Sequence, residues 1–147
     1  MITLHESTDY IKLTEIITNP KLFKVTYGQD KNPNWEIDKT FRYFLIKQDE
    51  DTLGCFQIKE MTKFVLEVHI FLLPQYWGTE ISLEAAKVGN DWIRDQRYTK
   101  AFTRVPANAI HVIHFISKLG YRACGMLDKA IIYNNTLVSI FFFELEV

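Results

Sequence analysis

Leu73-Pro74-Gln75-Tyr76-Trp77-Gly78-Thr79-Glu80 separates an apolar, strand-like run at 64–73 from an amphipathic run at 79–96. Pro74 cannot donate to a strand ladder and ends the strand. Gly78 stands where the helix must begin. The first turn of a helix leaves backbone N–H groups without partners and carries a partial positive charge. A residue with no side chain at that point lets an anion reach the amides, which makes a site for a pyrophosphate. The same residues also satisfy a plainer description, an ordinary strand-to-helix turn in which Gly78 supplies a backbone angle.

Outward from this run, the pattern resolves into elements. At about 100° per residue, Ile81, Ala85, Val88 and Trp92 fall on one side of the helix and Glu80, Glu84, Lys87 and Asp91 opposite. Ser82, Ala86 and Gly89 flank the apolar side, small enough to let the helix lie close to a sheet. A strand at 98–105 and a second amphipathic helix at 108–119 follow, with Val112, Phe115, Ile116 and Leu119 inward and Gly120 as its left-handed stop. Strands at 121–133 and 137–145 are joined by Asn134-Asn135, a hairpin turn. On the other side, runs at 41–48, 53–60 and 64–73, the last the longest, predict an antiparallel meander turning at Asp49-Glu50-Asp51. Before them come a short strand at 1–5 and a helix capped by Ser7 or Thr8, with Tyr10, Leu13, Ile16 and Ile17 on one side and Asn19-Pro20 as its end. The 21–39 stretch predicts a short helix and a loop. This order describes an α/β chain, a mixed sheet with helices packed on it, and 64–105 predicts a right-handed parallel crossover.

The bulk properties narrow the function. The 147 residues suit one domain over 1–147, and 48% hydrophobic with 24% charged residues suits a buried core. Aromatics reach 14%, and Phe141, Phe142 and Phe143 read first as core strand and second as binding surface. Lys and Arg total 17 against 18 Asp and Glu, which gives no net field to gather nucleic acid or an anionic membrane. Cys55 and Cys124 match no metal-ligand spacing and read as buried free thiols. No basic-then-apolar leader stands at the start and no apolar run approaches the ~20 residues of a membrane span. The expectation is a soluble, cytoplasmic protein.

Set in this order of elements, Gln75-Tyr76-Trp77-Gly78-Thr79-Glu80 resembles the acyl-CoA-binding loop of the GNAT acetyltransferase superfamily, Gln/Arg-x-x-Gly-x-Gly/Ala. Trp77-Gly78 with Glu84-Ala85 looks most like the branch that acetylates ribosomal and other protein N-termini and related amines. Lys118-Leu119-Gly120-Tyr121 resembles the Lys-Leu-Gly-Phe that ends the superfamily's last helix, and Gly125 matches a glycine that often follows. The resemblance implies a mostly antiparallel six- to seven-stranded sheet with about four helices, its fourth and fifth strands splayed around acyl-CoA. Backbone groups of Phe71, Leu72 and Leu73 would then hold the pantetheine arm, and amides from Trp77 to Glu80 the pyrophosphate. Gln75, Tyr76 and Asn108 complete the implied cofactor-binding set, with acetyl-CoA the expected co-substrate. Glu80 stands where the superfamily carries Gly or Ala. Counted back from Gly120, its early Asn falls on Ala109, one residue past Asn108, and its acidic Tyr falls on Ile116.

Amine acylation needs a neutral amine and therefore a base. Glu67 and His69 share a strand face with Val65 and Phe71, and partial burial would raise the Glu67 pKa towards the working range. Both also fit a half-solvated strand face with no chemistry. Tyr121 and Tyr133 are candidate acids, or core tyrosines. His111 and His114 have ligand-like spacing, but no third ligand is evident, so no metal is expected. Two functions compete. One is an N-acyltransferase acting on a small-molecule or protein amine. The other is an inactive GNAT-fold binding or assembly protein, similar to some phage proteins linked to head assembly and working in the host cytoplasm. A homodimer or an assembly partner fits either, and an unrelated α+β binding domain is a third reading.

Overall fold

Strand alternation and helix periodicity sort the chain into seven strands and four helices. The computed structural model describes residues 1–147. The order is β1 (Ile2–Glu6), α1 (Tyr10–Ile17), α2 (Pro20–Tyr27), β2 (Arg42–Gln48), β3 (Asp51–Glu60), β4 (Val65–Leu72), a 3-10 turn (Pro74–Tyr76), α3 (Glu80–Asp95), β5 (Lys100–Pro106), α4 (Ile110–Lys118), β6 (Arg122–Tyr133) and β7 (Thr136–Glu146). One sheet takes all seven strands in the order β1-β2-β3-β4-β5-β7-β6, antiparallel everywhere except β4 with β5. This is the mixed sheet expected from the sequence, with the predicted parallel crossover through α3.

Each sheet face carries its own core. Phe44, Phe56, Ile58, Leu66, Val68 and Leu72 join Ala85 and Ile93 of α3 and Ile116 of α4. On the other face Tyr43, Leu45, Cys55 and Phe71 meet Leu13, Ile16 and Ile17 of α1 and Leu22 of α2. Successive strand residues point to opposite faces, so β4 sends Leu66, Val68 and Leu72 to the α3 side and Phe71 to the α1 side.

Several local expectations are corrected. Asp9, not Ser7 or Thr8, caps α1, accepting from the Lys12 N–H at 3.1 Å, while Ser7 Oγ accepts from Asp9 N–H. Asn19-Pro20 does end α1, but it also starts α2: Asn19 accepts from the Leu22 N–H at 3.2 Å and Pro20 takes the first position, where no N–H is needed. The deepest stripe of α3 is Ser82, Ala85, Ala86, Gly89 and Ile93, while Ile81, Val88 and Trp92 lie half-buried beside it. Close approach is the reason: a Cβ on Gly89 would lie 2.3 Å from Cζ of Phe56. The longest strand is β6, 12 residues against 8 in β4. It is an edge with no covering helix, so Cys124 is exposed and only Cys55 is buried. β6 carries an extra residue at Cys124 and faces Ser139 alone with Asp128, Lys129 and Ala130. Asn134 and Asn135 take φ of 51° and 60°, which makes the expected hairpin turn.

Candidate active site

β4 and β5 pair over only three positions, Val65 with Lys100, Leu66 with Ala101 and Glu67 with Phe102. Beyond them β4 stays on β3 as far as Leu72 and β5 stays on β7 as far as Pro106, so a gap opens between them. The N–H of Leu73 donates to Leu53 C=O (2.9 Å) and Val65 C=O accepts from Met61 N–H (3.0 Å). These bonds fix the odd residues of β4 towards β3, so the even ones turn towards β5. The backbone of Ile70 and the N–H of Leu72 therefore face the gap. Phe71, expected as a backbone ligand, directs its groups to β3, and Leu73, also expected, gives its N–H to β3 and its carbonyl to the Tyr76 N–H at 3.0 Å. The Leu72 carbonyl is engaged as well, accepting from the Trp77 indole N–H at 2.7 Å.

At the wide end of the gap α3 begins without a side-chain cap. The Thr79 hydroxyl donates to Tyr76 C=O (2.6 Å) instead of accepting from the helix. Among the expected donors, Trp77 N–H is engaged by Pro74 C=O at 3.2 Å and Thr79 N–H by Tyr76 C=O at 3.4 Å, while Gly78 and Glu80 have no backbone acceptor; nor has Ile81, which lies outside the expected set. Gly78 has φ +71°, which side chains rarely adopt, and nothing lies within 4 Å of the place its Cβ would occupy. Open space at Gly78 thus adjoins a positive helix end with three amides free of backbone acceptors. Gln75 and Glu80 are exposed, while Tyr76 and Trp77 are half-buried against the core.

Two cavities meet at the gap. The one on the α3–α4 side, about 120 Å³, is bounded by Ile70, Val105, Ala109, Phe115, Ile116 and Tyr121 among others. It is narrow and mostly apolar, suited to an extended chain and too small for a nucleotide. The other, about 330 Å³, lies on the α2 side, with Tyr27, Trp35 and Phe41 as walls. His69, Phe71, Arg104 and Pro106 border both.

At this junction lies the main polar cluster. Glu67, 7% exposed, accepts on Oε2 from His69 Nε2 (2.7 Å) and from Arg104 Nη2 (3.1 Å). The expectation that burial raises the Glu67 pKa is overturned: the His69 hydrogen bond, with the Arg104 charge, outweighs burial and holds the carboxyl below its usual range. An ionised carboxylate accepts from a proton on Nε2, so in the neutral ring the lone pair of His69 lies on Nδ1, which makes no hydrogen bond. Nothing in the sequence flagged Arg104. Its pairing with Glu67 spans 37 residues, and only β5 alternation, which sets it on the Phe102 face, hints at it.

Tyr121 lines the narrow cavity, and burial pushes its hydroxyl pKa well up. The Tyr133 hydroxyl is committed to Val25 C=O. Asn108 is exposed in the β5–α4 turn and borders neither cavity, whereas its neighbour Ala109 does, as does Asn90 of α3. His111 and His114 are exposed, and no three metal-ligating side chains gather anywhere. No helix is long and apolar enough to cross a membrane.

A seven-stranded sheet splayed between a parallel β4 and β5 is the fold of the GNAT acetyltransferases. Solved structures share it over nearly the whole chain. A spermidine N-acetyltransferase from Vibrio cholerae, in complex with CoA and spermine, has a TM-score of 0.81 at 13% identity, covering 99% of this chain and 95% of that one. A GNAT family acetyltransferase from Elizabethkingia anophelis with acetyl-CoA bound has 0.72 at 14%, covering 99% and 98%. A GCN5-related N-acetyltransferase from Kribbella flavida has 0.75 at 12%, covering 99% and 98%. A family model described as "Protein of unknown function (DUF2824)" matches residues 4–146, and the chain belongs to that family. No curated protein matches it by sequence.

Proposed function

We propose that the chain is an acyl-CoA-dependent N-acyltransferase, one folded unit over 1–147 that uses acetyl-CoA to acylate an amine. One observation carries this reading: the gap between β4 and β5, with free amides of Gly78, Glu80 and Ile81 at its wide end. In this reading those amides hold the pyrophosphate and the gap-facing backbone of Ile70 and Leu72 lines the pantetheine arm. Gln75, Tyr76 and Trp77 shape the loop. Bound acyl-CoA supplies a thioester, whose carbonyl carbon forms the new C–N bond as its C–S bond breaks. His69 Nδ1 takes the proton from the amine, Glu67 holds the ring, and Tyr121 donates a hydrogen bond on the sulfur side. A cytoplasmic setting agrees with two unpaired cysteines. The finer placement, in the branch that acetylates protein N-termini, rests on Trp77-Gly78 and Glu84-Ala85 alone.

Saturating acetyl-CoA, at 100 times its Kd, should stabilise the fold by about 2.7 kcal/mol, a rise of about 5–10 °C in Tm for a domain of this size. Gly78→Asp should abolish that rise: it places a charge among the amides, and since its Cβ meets open space the cost to the fold is the left-handed backbone alone, about 1–2 kcal/mol. No shift and no calorimetric binding with the wild type would remove the acyltransferase reading. A second reading, an inactive fold used in assembly, including phage head assembly, has one observation behind it. Ile116, which cannot donate a proton, lines the narrow cavity where the superfamily places its acidic Tyr. Acetyl-CoA binding without turnover of any amine would favour it.

A further inference from the structure

The cavity of about 330 Å³ on the α2 side has a chemistry of its own. Its floor is the junction at His69 and Phe71. Tyr27, Trp35 and Phe41 wall it, with Phe41 edge-on to His69 at 6.0 Å between ring centres. Trp35 is held edge-on against Phe23 and tilted against Tyr27, so this wall is braced. Another side is closed by the β6–β7 hairpin, which contributes Ile131 and Ile140. Its tip is tied to the end of α2: the Tyr133 hydroxyl donates to Val25 C=O and the Asn134 N–H to Gly28 C=O at 2.8 Å. The volume suits a small molecule or a single side chain.

Of the polar groups bordering it, Glu36, Asp38, Gln57 and His69 present acceptors, while Arg104, the Trp35 indole N–H and the Thr26 and Tyr27 hydroxyls can donate. Gln57 gives its amide N–H to the Tyr43 hydroxyl (2.9 Å), leaving its carbonyl oxygen without a donor. His69 offers Nδ1. The cation on the floor, Arg104, is paired with Glu67. At the rim Glu36 has no ion pair, and Asp38 holds Thr40 through Oδ1 only, leaving Oδ2 free. Lys59 lies over the Phe41 ring and bonds Thr40; it is outside the lining, but its charge reaches Asp38 and helps to hold that carboxyl low, which leaves Glu36 as the rim carboxylate with no cation beside it. Aromatic faces and carboxylates favour cations, and acceptors without donors favour N–H groups.

We propose that this cavity is the acceptor site and that it takes a small amine carrying a second positive charge, which Glu36, Asp38 and the aromatic walls hold while the reacting nitrogen lies at His69. This deepens the acyltransferase reading and rests on it. The chemistry is unchanged. The proton lost by the reacting nitrogen passes to His69 Nδ1, and the second ammonium stays protonated.

The test is a charge series on one four-carbon chain: diaminobutane, n-butylamine and terminal aminobutyrate, each assayed with saturating acetyl-CoA. Diaminobutane should exceed n-butylamine in kcat/KM by about tenfold, as expected for one added cation contact, with aminobutyrate lowest. Its KM should rise with salt, because the rim carboxylates are exposed and screened. In Glu36→Gln and Asp38→Asn the ratio of diamine to monoamine should fall towards one. Equal rates for the three amines, a preference for aminobutyrate, a KM indifferent to salt, or better use of a peptide N-terminus would each overturn the proposal. So would acetyl-CoA binding with no turnover of any of the three. Because acetyl-CoA binding is read separately, failure here is distinct from failure of the acyltransferase reading.

Discussion

Glu67 and His69 lie two residues apart on one face of β4, a spacing legible in the sequence, but their roles were not. Burial alone argues for Glu67 as a base with a raised pKa; in the fold the His69 hydrogen bond, joined by Arg104 from β5, reverses the sign. With a folded pKa below the unfolded value, the Glu67 interactions stabilise the fold above about pH 4 and fade as the pH falls through the depressed value. Glu67→Gln should therefore cost most at neutral pH, and its gap to wild type in urea denaturation should close in strong acid. A gap that ignores pH would mean that the carboxyl is not ionised in the fold. At His69 the expected effect is on chemistry. His69→Gln should lower kcat/KM by about 10²–10⁴-fold, as for loss of a general base, with acetyl-CoA affinity by calorimetry unchanged. Full activity in this variant would return the base role to water or another group.

The helices show how far periodicity carries. The start of α3 was readable because Pro74 and Gly78 punctuate it, and its polar side was placed correctly. Its deepest stripe was not, since a hydrophobic pattern ranks Ile81, Val88 and Trp92 by apolar surface. Contact with β3 selects instead for the absence of bulk, as Gly89 against Phe56 shows. The end of α2 joins a local stop, Gly28, to partners far along the chain that no local pattern reveals. Gly28 has φ +69°, and a Cβ there would fall 2.3 Å from the Tyr133 ring. Gly28→Ala is expected to lose about 1–2 kcal/mol from the left-handed backbone alone. It should also lift the hairpin tip, seen as faster hydrogen exchange at the Asn134 amide. An Asn134 amide as protected as in wild type would show that the tie does not depend on Gly28.

Across the whole molecule the sheet is two half-sheets, β1 to β4 and β5 to β7, joined by three residue pairs and the Arg104–Glu67 bond. The order of elements and the divergence of β4 from β5 were anticipated, because strand and helix patterns are local and the resemblance supplied the topology. Which β4 amides face the opening was not, since that depends on pairing with β3. The Ile70 amide should exchange quickly in the free protein, unlike that of Leu66, and slow down when acetyl-CoA is added. Slow exchange at Ile70 without ligand would mean that the two half-sheets close on each other in solution. Exposure of β6 was also invisible in the sequence, as an apolar strand reads alike at the centre and at the rim of a sheet. That rim exposes Met126, Leu127 and Ile132, yet it is bent at Cys124 and again across Asp128, Lys129 and Ala130. A straight ribbon with those side chains would invite neighbouring molecules to zip on end over end, and the two kinks deny them a continuous template. Trimming the surplus residues to straighten it would therefore trade a self-limiting particle for one prone to fibrous growth.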